Sequence, residues 1–197
     1  MKAVFYGDSI TVGTYTAVGE RAPVRIACPN YSQILGQHFG WEIVNEAING
    51  VSYSRTSSVN GEWAVSKRIA ACPDCDVLFL AAGTNDYGTS VQLGNEDDRT
   101  DNSFFGALNI AFSIAKDKAK QVYVITPIPR KDQTENKDGH TLDDYRNALR
   151  VVAKKFGYKV INGENLPINP NSEEDKLKYI YDTHALALPP SSSSFCR

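Results

Sequence analysis

The middle of the chain reads Val77-Leu78-Phe79-Leu80-Ala81-Ala82-Gly83-Thr84-Asn85-Asp86. The first six residues form an uninterrupted apolar run, which is typical of a central strand covered on both faces of a sheet. The run leads directly into Gly83, Asn85 and Asp86. Because ligands of open α/β sheets bind at the carboxyl ends of the strands, the stretch predicts both a parallel sheet and the edge at which function lies.

The same alternation extends outward from this strand in both directions. Other strand-length runs, rich in β-branched or aromatic residues, cover residues 3–6, 41–44, 122–126 and 159–161. Helix-like stretches lie between the runs, at residues 31–39, 61–71, 103–119 and 142–156. Alternating strands and helices predict an α/β fold: a five-stranded parallel sheet with helices on both faces.

Length and composition fit one domain over residues 1–197. The chain is 42% hydrophobic and 22% charged with a formal net charge of -2, which is ordinary for a globular protein and creates no strong electrostatic field. We therefore expect no nucleic acid partner, and no apolar run is long enough to span a membrane. Residues 185–197, with Pro189-Pro190 and a run of serines, are predicted to form an atypical, flexible tail.

The first residues favour a cytoplasmic location. Met1-Lys2 leads at once into the first apolar run, which leaves no room for a secretory signal.

Cys72-Pro-Asp-Cys75 is the one closely spaced pair of cysteines, and a pair of this kind can be a redox motif or half of a zinc site. Further zinc ligands at plausible spacing are missing, and neither GxGxxG nor GxxxxGK[ST] occurs. We expect no metal or cofactor, and we interpret these cysteines as ending a helix before a strand.

A candidate nucleophile follows the first strand, in Gly7-Asp8-Ser9. Gly7 can take a tight turn, and Ser9 can begin a helical turn. Gly-Asp-Ser is also common turn chemistry in which a serine merely caps a helix. The tripeptide alone favours this structural interpretation.

Three longer motifs resemble those of the SGNH (GDSL-like) hydrolases. Residues 4–13 resemble the first block of that family, residues 44–52 with Gly50 the second, and Gly83-Thr84-Asn85-Asp86 the Gly-x-Asn-Asp third block. The resemblance implies a flavodoxin-like three-layer fold that cleaves esters, with Ser9 as nucleophile. It also implies an oxyanion hole made by the Ser9 N–H, the Gly50 N–H and the Asn85 side-chain amide, and fixed donors of this kind stabilise the charge of acyl transfer.

The fourth block of the family supplies the base, usually as Asp-x-x-His followed by proline. Tyr181-Asp182-Thr183-His184-Ala185 matches it in part, because Asp182 and His184 are two residues apart and no proline follows. We predict His184 as the general base and Asp182 as the acid that orients it, since residues i and i+2 of a strand point to one side. An unusual subfamily, a truncated chain or an altered reading frame would each explain the departure.

The remaining candidates receive structural roles. His38 and His140 are expected to be capping or exposed residues, and Asp8 and Asp86 to hold loops by bonding backbone N–H groups. The hydrolase would act on a small acyl or acetyl ester, such as a carbohydrate or lipid ester, through a Ser9 acyl-enzyme. Two alternatives stay open: a non-catalytic carbohydrate-binding or structural protein with this fold, and an acyltransferase. The sequence does not define the oligomeric state.

Overall fold

The computed structural model describes residues 1–15, 25–57, 60–130, 133–169, 172, 180–182 and 185–186. The strands are β1 (Lys2–Gly7), β2 (Thr14–Tyr15), β3 (Arg25–Ile26), β4 (Glu42–Asn45), β5 (Cys75–Ala81), β6 (Ala119–Ile125), β7 (Lys159–Ile161), β8 (Ile180–Asp182) and β9 (Ala185–Leu186). The α-helices are α1 (Ser9–Val12), α2 (Tyr31–Phe39), α3 (Val65–Arg68), α4 (Thr84–Gly88), α5 (Phe104–Ala115) and α6 (Leu142–Phe156). Short 3-10 helices cover Gly61–Trp63, Ile69–Ala71 and Gly163–Asn165.

One parallel sheet organises the described chain. Its strand order is β4-β1-β5-β6-β7, the doubly wound order in which the chain changes direction across the sheet between β1 and β5. Phe5 pairs with Asn45 on one side and with Phe79 on the other. The loops that follow β4, β1 and β5 therefore leave the sheet side by side.

The larger core lies between the sheet and helices α3, α5 and α6. Tyr53, Phe104, Phe112 and Tyr145 are fully buried there. The opposite face is covered by α2 and carries a smaller cluster around Phe5 and Phe79, whose rings stack with centroids 4.4 Å apart. Helices thus lie on both faces of the sheet, and the predicted α/β fold is confirmed.

The predicted element boundaries are wrong where polar residues interrupt an apolar run. β5 begins at Cys75 and β6 at Ala119, two and three residues before the predicted starts, and these two residues pair. Asp76 and Lys120 interrupt the apolar pattern at these strand starts, and they form an ion pair of 2.6 Å across the strands. The helix predicted from residue 103 accordingly ends at Ala115.

Two further differences concern short segments. The predicted helix at 61–71 is divided into 3-10, α and 3-10 turns, because Ala64 has an extended ψ of 143° that breaks the helix. The Gly83-Thr84-Asn85-Asp86 motif does not simply follow β5 as a turn, because its last three residues begin α4, which continues to Gly88. As interpreted from the sequence, Cys72 ends the last of these turns and Cys75 opens β5.

The C-terminal region is described only in part. Ala185 and Leu186 form β9, which pairs antiparallel with β8, and residues 187–197 of the predicted tail lie outside the described residues. Within the part of the chain that the structure describes, no helix is long and apolar enough to cross a membrane.

Candidate active site

Ser9 is the first residue of α1, and only Asp8 separates it from the end of β1. The helix cap is supplied by Asp8, whose Oδ1 accepts a hydrogen bond of 2.9 Å from the backbone N–H of Ile10. Ser9 is therefore not needed as the cap. Among the described residues, none forms a hydrogen bond with its hydroxyl. A half-buried serine whose hydroxyl bonds no described residue thus stands at the carboxyl edge of the sheet.

Gly7 allows α1 to start this close to the sheet. A Cβ at this position would lie 2.1 Å from Oγ1 of Thr11 and 2.8 Å from the backbone oxygen of Ala81. Both distances are far below ordinary contact, and the second involves the neighbouring strand β5. Only glycine permits this close approach of the end of β1 to α1 and to β5.

The loop that contains Gly50 is tied to the end of β1 and to the start of β2. The backbone N–H of Ile48 donates to the carbonyl oxygen of Gly7 over 3.0 Å, and the Thr14 hydroxyl donates to Oδ1 of Asn49 over 2.6 Å. Gly50 itself has a φ of 72°, the left-handed conformation that favours glycine. Gly50 is thus held next to the segment that begins α1.

Asn85 approaches the same loop from the other side. It lies in the first turn of α4, and its Nδ2 donates a hydrogen bond of 2.7 Å to the carbonyl oxygen of Val51. A side-chain amide carries two N–H groups, and within the described part of the chain the second has no acceptor. One N–H of Asn85 fixes the loop and the other is available to a ligand.

Two buried carboxylates lie beneath these groups. Asp86 is fully buried and accepts backbone hydrogen bonds from Tyr53 over 3.0 Å and Ser54 over 2.9 Å. Burial raises the pKa of Asp86 to about 7. Burial likewise raises the pKa of Asp8 to about 7, and the nearby charge of Asp86 adds to that shift. Both side chains bond backbone N–H groups and hold the turns that carry Ser9 and Gly50.

Arg130 is a site residue that sequence reasoning missed. Its guanidinium donates to the carbonyl oxygen of Thr84 over 3.1 Å, and it lies 5.3 Å from the ring centre of Tyr87. Its positive charge lowers the pKa of Asp8, opposing the effect of burial. Arg130 follows β6 in a long loop with no motif of its own, so no sequence signal identified it.

The predicted base lies outside the described residues. His184 falls between β8 and β9, and the backbone of Asp182 belongs to β8. The strand that follows His184, β9, contacts α1 and β2. The described residues on either side of His184 therefore belong to a hairpin that contacts the helix beginning with Ser9.

The other two histidines lie elsewhere. His38 is exposed in the last turn of α2. His140 precedes α6, with its ring 3.8 Å from a carboxylate oxygen of Asp138 and 3.9 Å from one of Asp144. The aromatic side chains of Tyr53, Tyr87 and Tyr145 are buried in the core, whereas that of Trp63 is exposed.

A groove of about 480 Å³ opens beside α1 on the α2 side of the sheet. It is bordered by apolar groups of β5, β6 and β7 and by Pro167 and Ile168. Asp8 and Ile10 line it, but Ser9, Gly50 and Asn85 do not belong to its described lining. We therefore do not propose this groove as the binding site for an ester substrate.

The arrangement of these motifs agrees with a comparison against known families. The sequence profile of the GDSL-like Lipase/Acylhydrolase family matches residues 5–185. The chain belongs to this family. The resemblance inferred from the motifs is confirmed, and family membership supports a hydrolase. Among the curated proteins compared, none matches the chain.

Solved structures similar to this member of the GDSL-like family share its fold at low identity. A protein from Lactobacillus plantarum is 21% identical with a TM-score of 0.78, over 94% of this chain and 88% of that one. The aryl esterase of M. smegmatis is 15% identical, with a TM-score of 0.63 over 94% and 90% of the two chains. A carbohydrate acetylesterase from Sinorhizobium meliloti is also 15% identical, with a TM-score of 0.61 and the same coverage.

Proposed function

We propose that this protein is a serine ester hydrolase with Ser9 as nucleophile and His184 as general base. One observation carries the proposal: the Gly50 loop is bonded to the end of β1 through Ile48 and to Asn85 through Val51. Three motifs that are far apart in sequence are thus joined by hydrogen bonds at the end of β1, which supports Ser9 as the nucleophile. The family match and the esterases among the structural relatives support the same reaction class.

The reaction follows from the chemistry of these groups. His184 takes the proton of Ser9 as the hydroxyl oxygen attacks the ester carbonyl. The backbone N–H groups of Ser9 and Gly50 and the remaining N–H of Asn85 stabilise the oxyanion. His184 then protonates the leaving alcohol, and water releases the acid by the same steps in the second half of the cycle. Asp182 would orient His184.

The proposed substrate is a small acyl or acetyl ester. In a carbohydrate ester the carbohydrate would provide the alcohol, and in a lipid ester the lipid would provide the acyl chain. The relatives named as an aryl esterase and a carbohydrate acetylesterase motivate this choice. No described residue distinguishes a carbohydrate ester from a lipid ester as the substrate. Product analysis with and without an acceptor alcohol separates hydrolysis from acyl transfer, because a transferase forms a new ester with the acceptor.

Covalent labelling tests the proposed nucleophile. A fluorophosphonate reacts with an activated serine by forming an oxygen-phosphorus bond and releasing fluoride, and peptide mass spectrometry locates the adduct. We expect one adduct, on the peptide that contains Ser9. Ser113 is the matched control, since its exposed hydroxyl donates to the carbonyl oxygen of Ile110 and should stay unmodified. An unlabelled Ser9 in folded protein would contradict the proposal.

A further inference from the structure

The carboxylate of Asp86 is attached to the loop after Gly50 at two consecutive positions. Its Oδ2 accepts the N–H of Tyr53 and its Oδ1 that of Ser54, over 3.0 and 2.9 Å. Two bonds from one rigid group to adjacent peptide units fix both the position and the orientation of a backbone segment. A single bond would leave the segment free to rotate about it.

The neighbouring residue binds the same segment. The Asn85 amide donates to the carbonyl oxygen of Val51, so the first turn of α4 holds residues 51–54 at three points. Gly50 is the next residue toward the N-terminus, and its left-handed backbone directs its N–H. A shift of residues 51–54 therefore moves the Gly50 N–H relative to Asn85.

The opposite edge of the segment is held by α3. The N–H groups of Val65 and Ser66 donate to the carbonyl oxygens of Ser52 and Tyr53, over 2.9 and 3.3 Å. These bonds satisfy carbonyl groups only. The acceptors for the N–H groups of Tyr53 and Ser54 are the two oxygens of Asp86. Nothing in α3 duplicates the contact that Asp86 makes.

The residue type matters for this contact. Two adjacent N–H donors require two acceptor oxygens, which a carboxylate supplies. An asparagine would present one oxygen and one NH₂ group, and the NH₂ group would face a donor. Burying a carboxylate is costly in itself, and here burial raises its pKa. A buried carboxylate at this point is therefore explained by the two donors that it satisfies.

We propose that Asp86 is a positioning residue, which aligns the Gly50 N–H with the Asn85 amide by clamping residues 51–54. This inference rests on the proposed oxyanion hole. Donors of an oxyanion hole act because they are fixed before charge develops. A misplacement of about 1 Å costs on the order of 10²-fold in rate. Loss of the clamp should therefore reduce kcat more than it changes KM.

The test compares Asp86→Asn with Asp98→Asn on p-nitrophenyl acetate. Asp98 is a matched control, because its carboxylate also accepts two local hydrogen bonds, from the Asn95 N–H and the Ser103 hydroxyl. We expect Asp86→Asn to lower kcat by about 10- to 100-fold with KM nearly unchanged, and Asp98→Asn to leave both near the wild-type values. An unchanged kcat in folded Asp86→Asn would overturn the inference.

Backbone amide exchange provides a readout that does not depend on activity. In Asp86→Asn the amides of Tyr53 and Ser54 should exchange faster, while those of β5 stay protected. Unchanged exchange at both residues would overturn the clamp even if kcat fell. If Asp86→Asn does not fold, Asp86→Glu replaces it, since it keeps both acceptors but displaces them by one methylene. Its kcat should fall, and a wild-type kcat would count against the inference.

Ser9→Ala in the same assay separates the two proposals. If Ser9→Ala retains full activity, the hydrolase proposal fails, whereas amide exchange still decides whether Asp86 holds the loop. If Ser9→Ala is inactive and Asp86→Asn is fully active, the nucleophile stands and only the positioning role fails.

Discussion

The Asn85 side chain donates a hydrogen bond of 2.7 Å to the carbonyl oxygen of Val51, the residue that follows Gly50. This bond joins the loop after β5 to the loop after β4, across the end of β1 that lies between them. Asn85 therefore has two functions in the proposed site. One N–H of its amide fixes the Gly50 loop, and the other is left for the oxyanion.

Replacing Asn85 by alanine should remove both functions. We expect kcat for p-nitrophenyl acetate to fall by about 10²- to 10³-fold, the usual loss for one oxyanion donor. Asn109→Ala is the control, because the amide of Asn109 also bonds backbone carbonyl oxygens, including that of Phe105, but inside the core. It should lower the melting temperature with little effect on kcat. Equal losses of kcat in the two variants would argue against a specific role for Asn85.

Gly7→Ala should destabilise the fold. The added Cβ would overlap the Thr11 side chain and the backbone oxygen of Ala81, and overpacking of this kind costs about 1–3 kcal/mol. Gly139→Ala is the matched control, since its φ of 78° strains an alanine but nothing lies within 4 Å of the new Cβ. Chemical denaturation should show a larger loss for Gly7→Ala. A Gly7→Ala protein as stable as Gly139→Ala would contradict the packing at the β1–α1 turn.

Stability should fall as the pH rises from about 4 to 7. Burial raises the pKa of Asp8 to about 7, whereas an aspartate in the unfolded chain titrates near pH 4. Between these two pKa values the folded protein binds more protons than the unfolded chain. The stabilisation that results is fully present below the unfolded pKa and is lost as the pH rises through the folded pKa.

Asp8→Asn tests this pH dependence, because asparagine caps a helix about as well as aspartate but does not ionise. Its melting temperature should vary less between pH 5 and 8 than that of the wild type. In Asp76→Asn the wild-type slope should persist, since the Lys120 ammonium lowers the pKa of the Asp76 carboxyl and places its titration below this window. Identical slopes in Asp8→Asn and wild type would exclude Asp8 as a source.

Asp182 and His184 should act as one unit. His184→Ala should abolish most activity, and adding Asp182→Ala to it should cause little further loss, as is usual for members of one catalytic unit. The chain offers a control pair with the same spacing, since the carboxylate of Asp138 lies 3.8 Å from the ring of His140. Asp138→Ala and His140→Ala should leave kcat unchanged. Independent, multiplicative losses from Asp182→Ala and His184→Ala would remove Asp182 from the mechanism.

Much of the fold could be predicted from local pattern. Strand-length runs rich in β-branched or aromatic residues identified all strands of the main sheet, and the helices at Tyr31–Phe39 and Leu142–Phe156 match their predicted bounds. The starts of β5 and β6 were missed because Asp76 and Lys120 interrupt the pattern. The two residues form an ion pair across neighbouring strands, and such a pairing cannot be predicted from the residues of either strand alone.

The candidate site divides in a similar way. Ser9, Gly50 and Asn85 were identified because each belongs to a motif at a strand end. The bonds that join their loops, from Ile48 to Gly7 and from Asn85 to Val51, connect residues more than thirty positions apart. Arg130 reaches Thr84 from a loop without periodicity. Such contacts depend on strand order, which periodicity does not determine.

The most direct measurement is p-nitrophenyl acetate hydrolysis by wild-type protein and Ser9→Ala. Because Asp8 supplies the cap of α1 and the Ser9 hydroxyl bonds no described residue, the variant should fold and melt like the wild type. We expect Ser9→Ala to lose activity by several orders of magnitude. Wild-type protein no faster than a correctly folded Ser9→Ala would contradict the assignment of this chain as a serine ester hydrolase.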